Sequence, residues 1–99
     1  MKVFISQPMN GLTEEEILGA KALAVKYLRK KYGEGIKALD TYFDEKDIPE
    51  GAGALWCLGR SIQMMEQADA VYFVPGAEKA RGCIIEYGVA ELYGLKILK

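Results

Sequence analysis

Glu86 is the residue whose surroundings point most directly to chemistry. It stands in the run Cys83-Ile84-Ile85-Glu86-Tyr87-Gly88-Val89-Ala90, which is otherwise almost wholly apolar. On a helix its neighbours are Gly82, Cys83, Ala90 and Tyr93, so the carboxylate stands among small and aromatic groups. A place near a helix N-terminus favours its ionised form. A carboxylate so held is suited to attack a sugar carbon as a nucleophile. Two plainer readings stand beside this one: an exposed glutamate at a helix start, or one tied to Arg81. The chain contains no histidine. That removes the Ser-His-Asp and Cys-His nucleophile systems and most zinc sites. Catalysis must then rest on carboxylates, hydroxyls, arginine, lysine or a borrowed cofactor; no metal and no cofactor of its own is expected.

A second set of candidates lies in the loop Ser6-Gln7-Pro8-Met9-Asn10-Gly11. Its hydroxyl, amides and backbone N–H groups precede a helix start and could hold a sugar or a phosphate. Neither the glycine spacing nor the Lys-Ser/Thr pair of a Walker loop is present, and the alternative is a turn with a helix cap. Arg81, with Gly82 at the opening of a later helix, is a phosphate clamp or a salt-bridge partner of Glu86. Asp40, Asp44, Glu45 and Asp47 face the site or form a solvated acidic loop. Trp56, Met64 and Met65 read as core or subunit contact. Cys57 and Cys83 lack metal-ligand spacing and read as small buried hydrophobes.

The elements that must position these groups alternate from the first residue. Lys2 to Ser6 is a β-rich run. Thr13 with Glu16 forms a capping box, and the helix that follows carries Ile17, Leu18, Ala24, Val25, Leu28 and Tyr32 on one side, stopping at Gly33. Ile36 to Tyr42 reads as a second strand, and residues 43–53 as a polar loop long enough to act as a lid. Helical spacing resumes at Leu55 and ends near Ala68. Asp69 to Val74 is the clearest strand, suited to the middle of a parallel sheet. After the loop Pro75 to Ala80, Arg81 opens a helix to about Tyr93, and Leu95 to Leu98 closes as a strand. This β-α-β-α-β-α-β pattern predicts one α/β domain over residues 1–99: a flavodoxin/Rossmann-like three-layer sandwich with a short four-stranded parallel sheet, order 2-1-3-4. The switch between strands one and three then lies beside loops 6–12 and 75–82, where such sheets bind ligands.

Bulk properties narrow the function classes. With 99 residues, 51% hydrophobic and 27% charged, the chain suits one folded domain. A net charge of −1 offers no broad attraction to nucleic acid or an anionic membrane. No apolar stretch approaches the roughly 18 residues of a membrane span. Residues 1–5 read as a strand rather than a signal peptide, which places the protein in the cytoplasm. The third helix is apolar on more than one face, which predicts a homodimer or higher homo-oligomer.

Three segments recur together in a known order: Ile5-Ser6-Gln7-Pro8-Met9, Ala68-Asp69-Ala70-Val71-Tyr72-Phe73, and Gly82-Cys83-Ile84-Ile85-Glu86-Tyr87-Gly88-Val89-Ala90. The chain thereby resembles, over essentially its whole length, the nucleoside 2-deoxyribosyltransferase superfamily, which includes the deoxynucleoside 5′-monophosphate N-glycosidases. It is most similar to a small bacterial and phage branch in which Ser-Gln-Pro-Met and Ala-Arg-Gly-Cys both occur. The resemblance implies that Glu86 attacks the anomeric carbon and displaces the base, and that water or a second base resolves the glycosyl-enzyme. It also implies an aspartate on the preceding helix, where this chain has Ser61. A further aspartate or serine is implied six residues before the glutamate, where this chain has Ala80, with Glu78 or Arg81 as substitutes if the loop carries an insertion. Losing an orienting or proton-donating group costs about 100- to 10,000-fold. Asp40, the 43–53 loop or a neighbouring subunit are the sources of compensation.

The expected function is N-glycosidic cleavage or base exchange on a nucleoside or nucleoside 5′-monophosphate. The alternatives are a non-catalytic nucleotide-binding or sensing module, which Ser61 and Ala80 favour, and a structural oligomerisation domain.

Overall fold

The computed structural model describes residues 1–40 and 45–99. Its elements are β1 (Lys2–Ser6), α1 (Glu14–Tyr32), β2 (Lys37–Ala38), α2 (Ala54–Met65), β3 (Ala70–Phe73), α3 (Arg81–Leu92) and β4 (Ile97–Leu98). Short 3-10 turns cover Glu45–Asp47 and Ala77–Lys79. All pairings are parallel and the strand order is β2-β1-β3-β4. The flavodoxin/Rossmann-like sandwich expected from the alternating pattern is the observed fold.

β1 holds the centre because Val3, Phe4 and Ile5 can each be buried on one or other face of the sheet. Successive side chains point to opposite faces, and the two packed clusters divide accordingly. Val3, Ile5 and Ala70 pack with Ala24 and Leu28 of α1, whereas Phe4 and Val71 pack with Met65 of α2 and Ala90 of α3. Pairing runs from Val3 opposite Ala70 to Ser6 opposite Phe73, so the two strands end level. Asp69 fixes the other end of this pair. Its Oδ2 accepts from Lys2 N at 2.7 Å, while its own N–H donates to Lys2 O at 2.8 Å.

The capping box opens α1 as expected. Glu16 N donates to Thr13 Oγ1 and Thr13 N to Glu16 Oε1, both at 3.1 Å. Three glutamates lie in the first turn and Arg29, Lys30 and Lys31 in the last, matching the helix dipole. Gly33 closes the helix at φ 109°, a conformation disfavoured for residues with a Cβ.

Some expected boundaries shift. Among the described residues β2 is Lys37–Ala38, where 36–42 was expected; Leu39 N still donates to Val3 O at 2.9 Å, but Asp40 has left the ladder. Residues 41–42 and the start of the 43–53 loop, including Asp44, lie outside the described residues. α2 stops at Met65 rather than near Ala68, because 66–68 turn to deliver Asp69 to β1. β4 is limited to 97–98, and of the apolar side expected for α1, Leu18 and Tyr32 are exposed.

Candidate functional site

β1 and β3 end side by side, and Ser6 and Gln7 emerge where the chain leaves the sheet. On the opposing side Gly76 adopts φ 94°, which turns the chain into the Ala77–Lys79 turn and then into α3. α3 begins with no side-chain cap. The free N–H groups of its first turn therefore face the end of the sheet unpaired by side chains. Between these segments and the first half of α2 lies a cavity of about 610 Å³. Its wall includes Gln7, Pro8, Met9 and Asn10 from the first loop, Cys57 and Ser61 from α2, and Lys79, Ala80, Arg81, Gly82 and Glu86 from the last crossover. The position is the switch point between β1 and β3.

Glu86 is buried, and its Oε1 accepts from Ser6 Oγ at 2.6 Å. That length is typical of a hydroxyl donating to a carboxylate. The two residues are 80 positions apart and meet because β1 ends beneath the second turn of α3. Glu86 is therefore neither an exposed helix-start residue nor a partner of Arg81. The helix N-terminus was expected to favour the ionised form; the shift runs the other way, because burial pushes the pKa above the usual carboxylate value and the Ser6 hydroxyl pulls it only part of the way back. Cys83, one turn earlier, has its thiol pKa pushed up by burial, with the Ser6 hydroxyl opposing.

Ser6 was expected to meet a ligand directly, but it is fully buried and its hydroxyl is committed to Glu86. Gln7 is also buried, with its Nε2 donating to Ile17 O at 2.9 Å. Arg81 and Lys79 are exposed at the cavity wall, and among the described residues neither forms an ion pair or side-chain hydrogen bond. Two free cations thus stand beside an uncapped helix start, an arrangement suited to an anion.

Two expected residues are placed elsewhere. Glu78 bends back so that its Oε2 accepts from Gly76 N at 3.1 Å, and it borders a different cavity. Asp40 is exposed, 3.8 Å from Lys21 Nζ, and is not part of the cavity wall. Local partners outcompete the site in both cases. The second cavity, about 500 Å³, lies where β3 and β4 meet α3, lined by Tyr72, Ile84 and Tyr87 among others. It contains neither Glu86 nor a free arginine. Glu86, Arg81 and Lys79 all line the first cavity.

Sequence reasoning missed Cys57, Lys79 and Ile48, all in the cavity wall. Lys79 carried a signal, its position two residues before Arg81 in the loop leading into the helix. Ile48 brings one apolar residue of the expected lid segment to the cavity. Among the described residues no group of three or more acidic, histidine or cysteine side chains could hold a metal.

The family comparison covers the whole chain. Residues 1–99 match the domain of unknown function DUF4406, and the protein belongs to that family. Comparison with curated proteins and with solved structures gave no match.

Proposed function

We propose that this member of the DUF4406 family cleaves the N-glycosidic bond of a nucleoside 5′-monophosphate, with Glu86 as nucleophile. The observation that carries the reading is the buried Ser6–Glu86 pair at a cavity of nucleotide size, at the switch point of the sheet. The resemblance of the three sequence segments to the nucleoside 2-deoxyribosyltransferase superfamily supports the reaction class. Lys79, Arg81 and the start of α3 support the phosphate.

In the first step an ionised Glu86 oxygen bonds to C1′ while the C1′–N bond breaks. The electron pair leaves with the base, which takes a proton from solvent. In the second, water attacks C1′, the ester to Glu86 breaks, and the carboxylate is restored as the water gives up a proton. A second base in place of water turns hydrolysis into exchange. Ser6 is a positioning residue, since its hydroxyl donates to Glu86 and favours the ionised form. The rate should rise with pH as Glu86 ionises, at a pH above that of an ordinary carboxylate.

One observation favours a second reading, a nucleotide-binding module without turnover. Ser61 borders the cavity where the resemblance implies an aspartate, and Ala80 offers only a methyl group. Chromatography of nucleosides and 5′-monophosphates incubated with wild type and Glu86→Ala separates the two. Base release by wild type alone supports the enzyme; a raised melting temperature without release supports the binding module.

We also propose a homo-oligomer, on the exposure of Ile84, Ile85, Tyr87, Leu92 and Tyr93 along α3. A cytoplasmic location is supported by two free thiols and by the lack, among the described residues, of any helix long and apolar enough to cross a membrane.

A further inference from the structure

Gln7 carries an unmet hydrogen-bonding capacity. The side chain is only 6% exposed, and it lies in the wall of the same cavity as Glu86. Its Nε2 is spent on Ile17 O at 2.9 Å, which fixes the other end of the amide as an acceptor. That acceptor, Oε1, is buried and has no partner. Native proteins rarely leave such a group unpaired, and when they do the reason is often functional.

We infer that Gln7 is a specificity-determining residue whose Oε1 accepts a hydrogen bond from a sugar hydroxyl of the bound nucleotide. This rests on the reading of Glu86 as the nucleophile at C1′. If Glu86 meets C1′, the groups nearest to it on the ligand are those of the sugar ring. Gln7 and Glu86 line the same cavity, so a ligand whose C1′ meets Glu86 brings its sugar within the reach of the Gln7 side chain. An acceptor needs a donor, which excludes ionised phosphate oxygens, and the donors nearest to C1′ are the sugar hydroxyls rather than the amino group of a base. Ala80, across the cavity, has no polar side chain to compete for it. The oxygen is buried, so contact requires the Gln7 side chain to shift as the ligand binds. A site with a buried polar group left unpaired discriminates strongly against a ligand that lacks the matching donor.

The test compares three probes by calorimetry on the intact protein: adenosine 5′-monophosphate, its 2′-deoxy form and its 2′,3′-dideoxy form. Wild type should lose about tenfold to a hundredfold in affinity at one step of this series. In Gln7→Met, checked for folding by circular dichroism, that step should vanish while the dideoxy probe still binds. Gln7→Glu, which keeps an acceptor, should retain the step. Equal binding of all three probes by wild type overturns the inference, as does a step of undiminished size in Gln7→Met. Gln7→Asn, which withdraws the acceptor by one methylene, is a further variant: the step should shrink in it, and a step of undiminished size overturns the inference. Hydroxyl-dependent binding without base release sinks the enzyme reading and leaves the Gln7 assignment standing. Base release with no hydroxyl dependence does the reverse, and no binding of any probe refutes both.

Discussion

Replacing Ser6 with alanine should destabilise the protein by an amount that depends on pH. Ser6 is 1% exposed and Glu86 7%, so their hydrogen bond is made away from bulk water. A hydrogen bond to a charged group contributes about 1.5–3 kcal/mol, and one between neutral groups about 0.5–1.5 kcal/mol. When Glu86 is protonated the substitution forfeits the smaller amount, and when it is ionised the larger. The sign follows from the direction of the shift. Burial raises the native pKa above the value of 4.5, so the native state holds its proton to higher pH than the unfolded chain. Wild type therefore loses stability as pH rises from about the unfolded value through the native one. Ser6→Ala removes an interaction that opposes the shift and steepens that loss. Urea unfolding at a series of pH values between acid and neutral measures it. The penalty of Ser6→Ala should grow by about 1 kcal/mol as pH rises, and should be constant with pH in a Glu86→Gln background. A penalty independent of pH in the wild-type background would refute the Ser6–Glu86 coupling.

Glu86→Gln itself should remove most of the pH dependence that this carboxyl imposes: relative to the variant, wild type should weaken as pH rises, as thermal melts across the same range would register. Arg81→Ala should weaken binding of a 5′-monophosphate about tenfold, by an amount that shrinks with added salt, and leave the matching nucleoside unchanged in the same titration. Cys57, half-buried in the cavity wall, should react with a thiol reagent well before Cys83, which is buried and has a raised pKa; peptide mapping after partial modification gives the order. Leu92→Glu with Tyr93→Lys should shift sedimentation toward the monomer without loss of helical content, since both side chains are more than three-quarters exposed in the single chain.

The order of the sheet was legible because each apolar run has a length and period that suit one element only. Val3-Phe4-Ile5 and Ala70-Val71-Tyr72-Phe73 are too short and too uniformly apolar for surface helices, and Thr13, Glu16 and Gly33 mark both ends of α1. Ile36 to Tyr42 has strand character throughout, whereas among the described residues the paired register runs only from Lys37 to Ala38 opposite Lys2 and Val3. The candidate site was legible in its members but not in their roles. Glu86, Ser61, Arg81 and the first loop could be placed at one end of the sheet from topology alone. That Ser6 turns inward to Glu86 depends on a contact across 80 residues, which no local pattern encodes. Glu78 and Asp40 were misassigned because a nearby backbone N–H and a nearby lysine claim them, at a scale finer than strand order. The direction of the Glu86 pKa shift was hidden for a similar reason: the helix terminus is visible in the sequence, and the burial that raises the pKa is not.

The central claim is that Glu86 forms a covalent bond to the sugar. Mass spectrometry of wild type acid-quenched during incubation with 2′-deoxyadenosine 5′-monophosphate tests it most directly. Released adenine and a deoxyribose phosphate adduct on the peptide containing Glu86 are expected, both lost in Glu86→Gln. Adenine release that persists in Glu86→Gln, or an adduct on another residue, would contradict it.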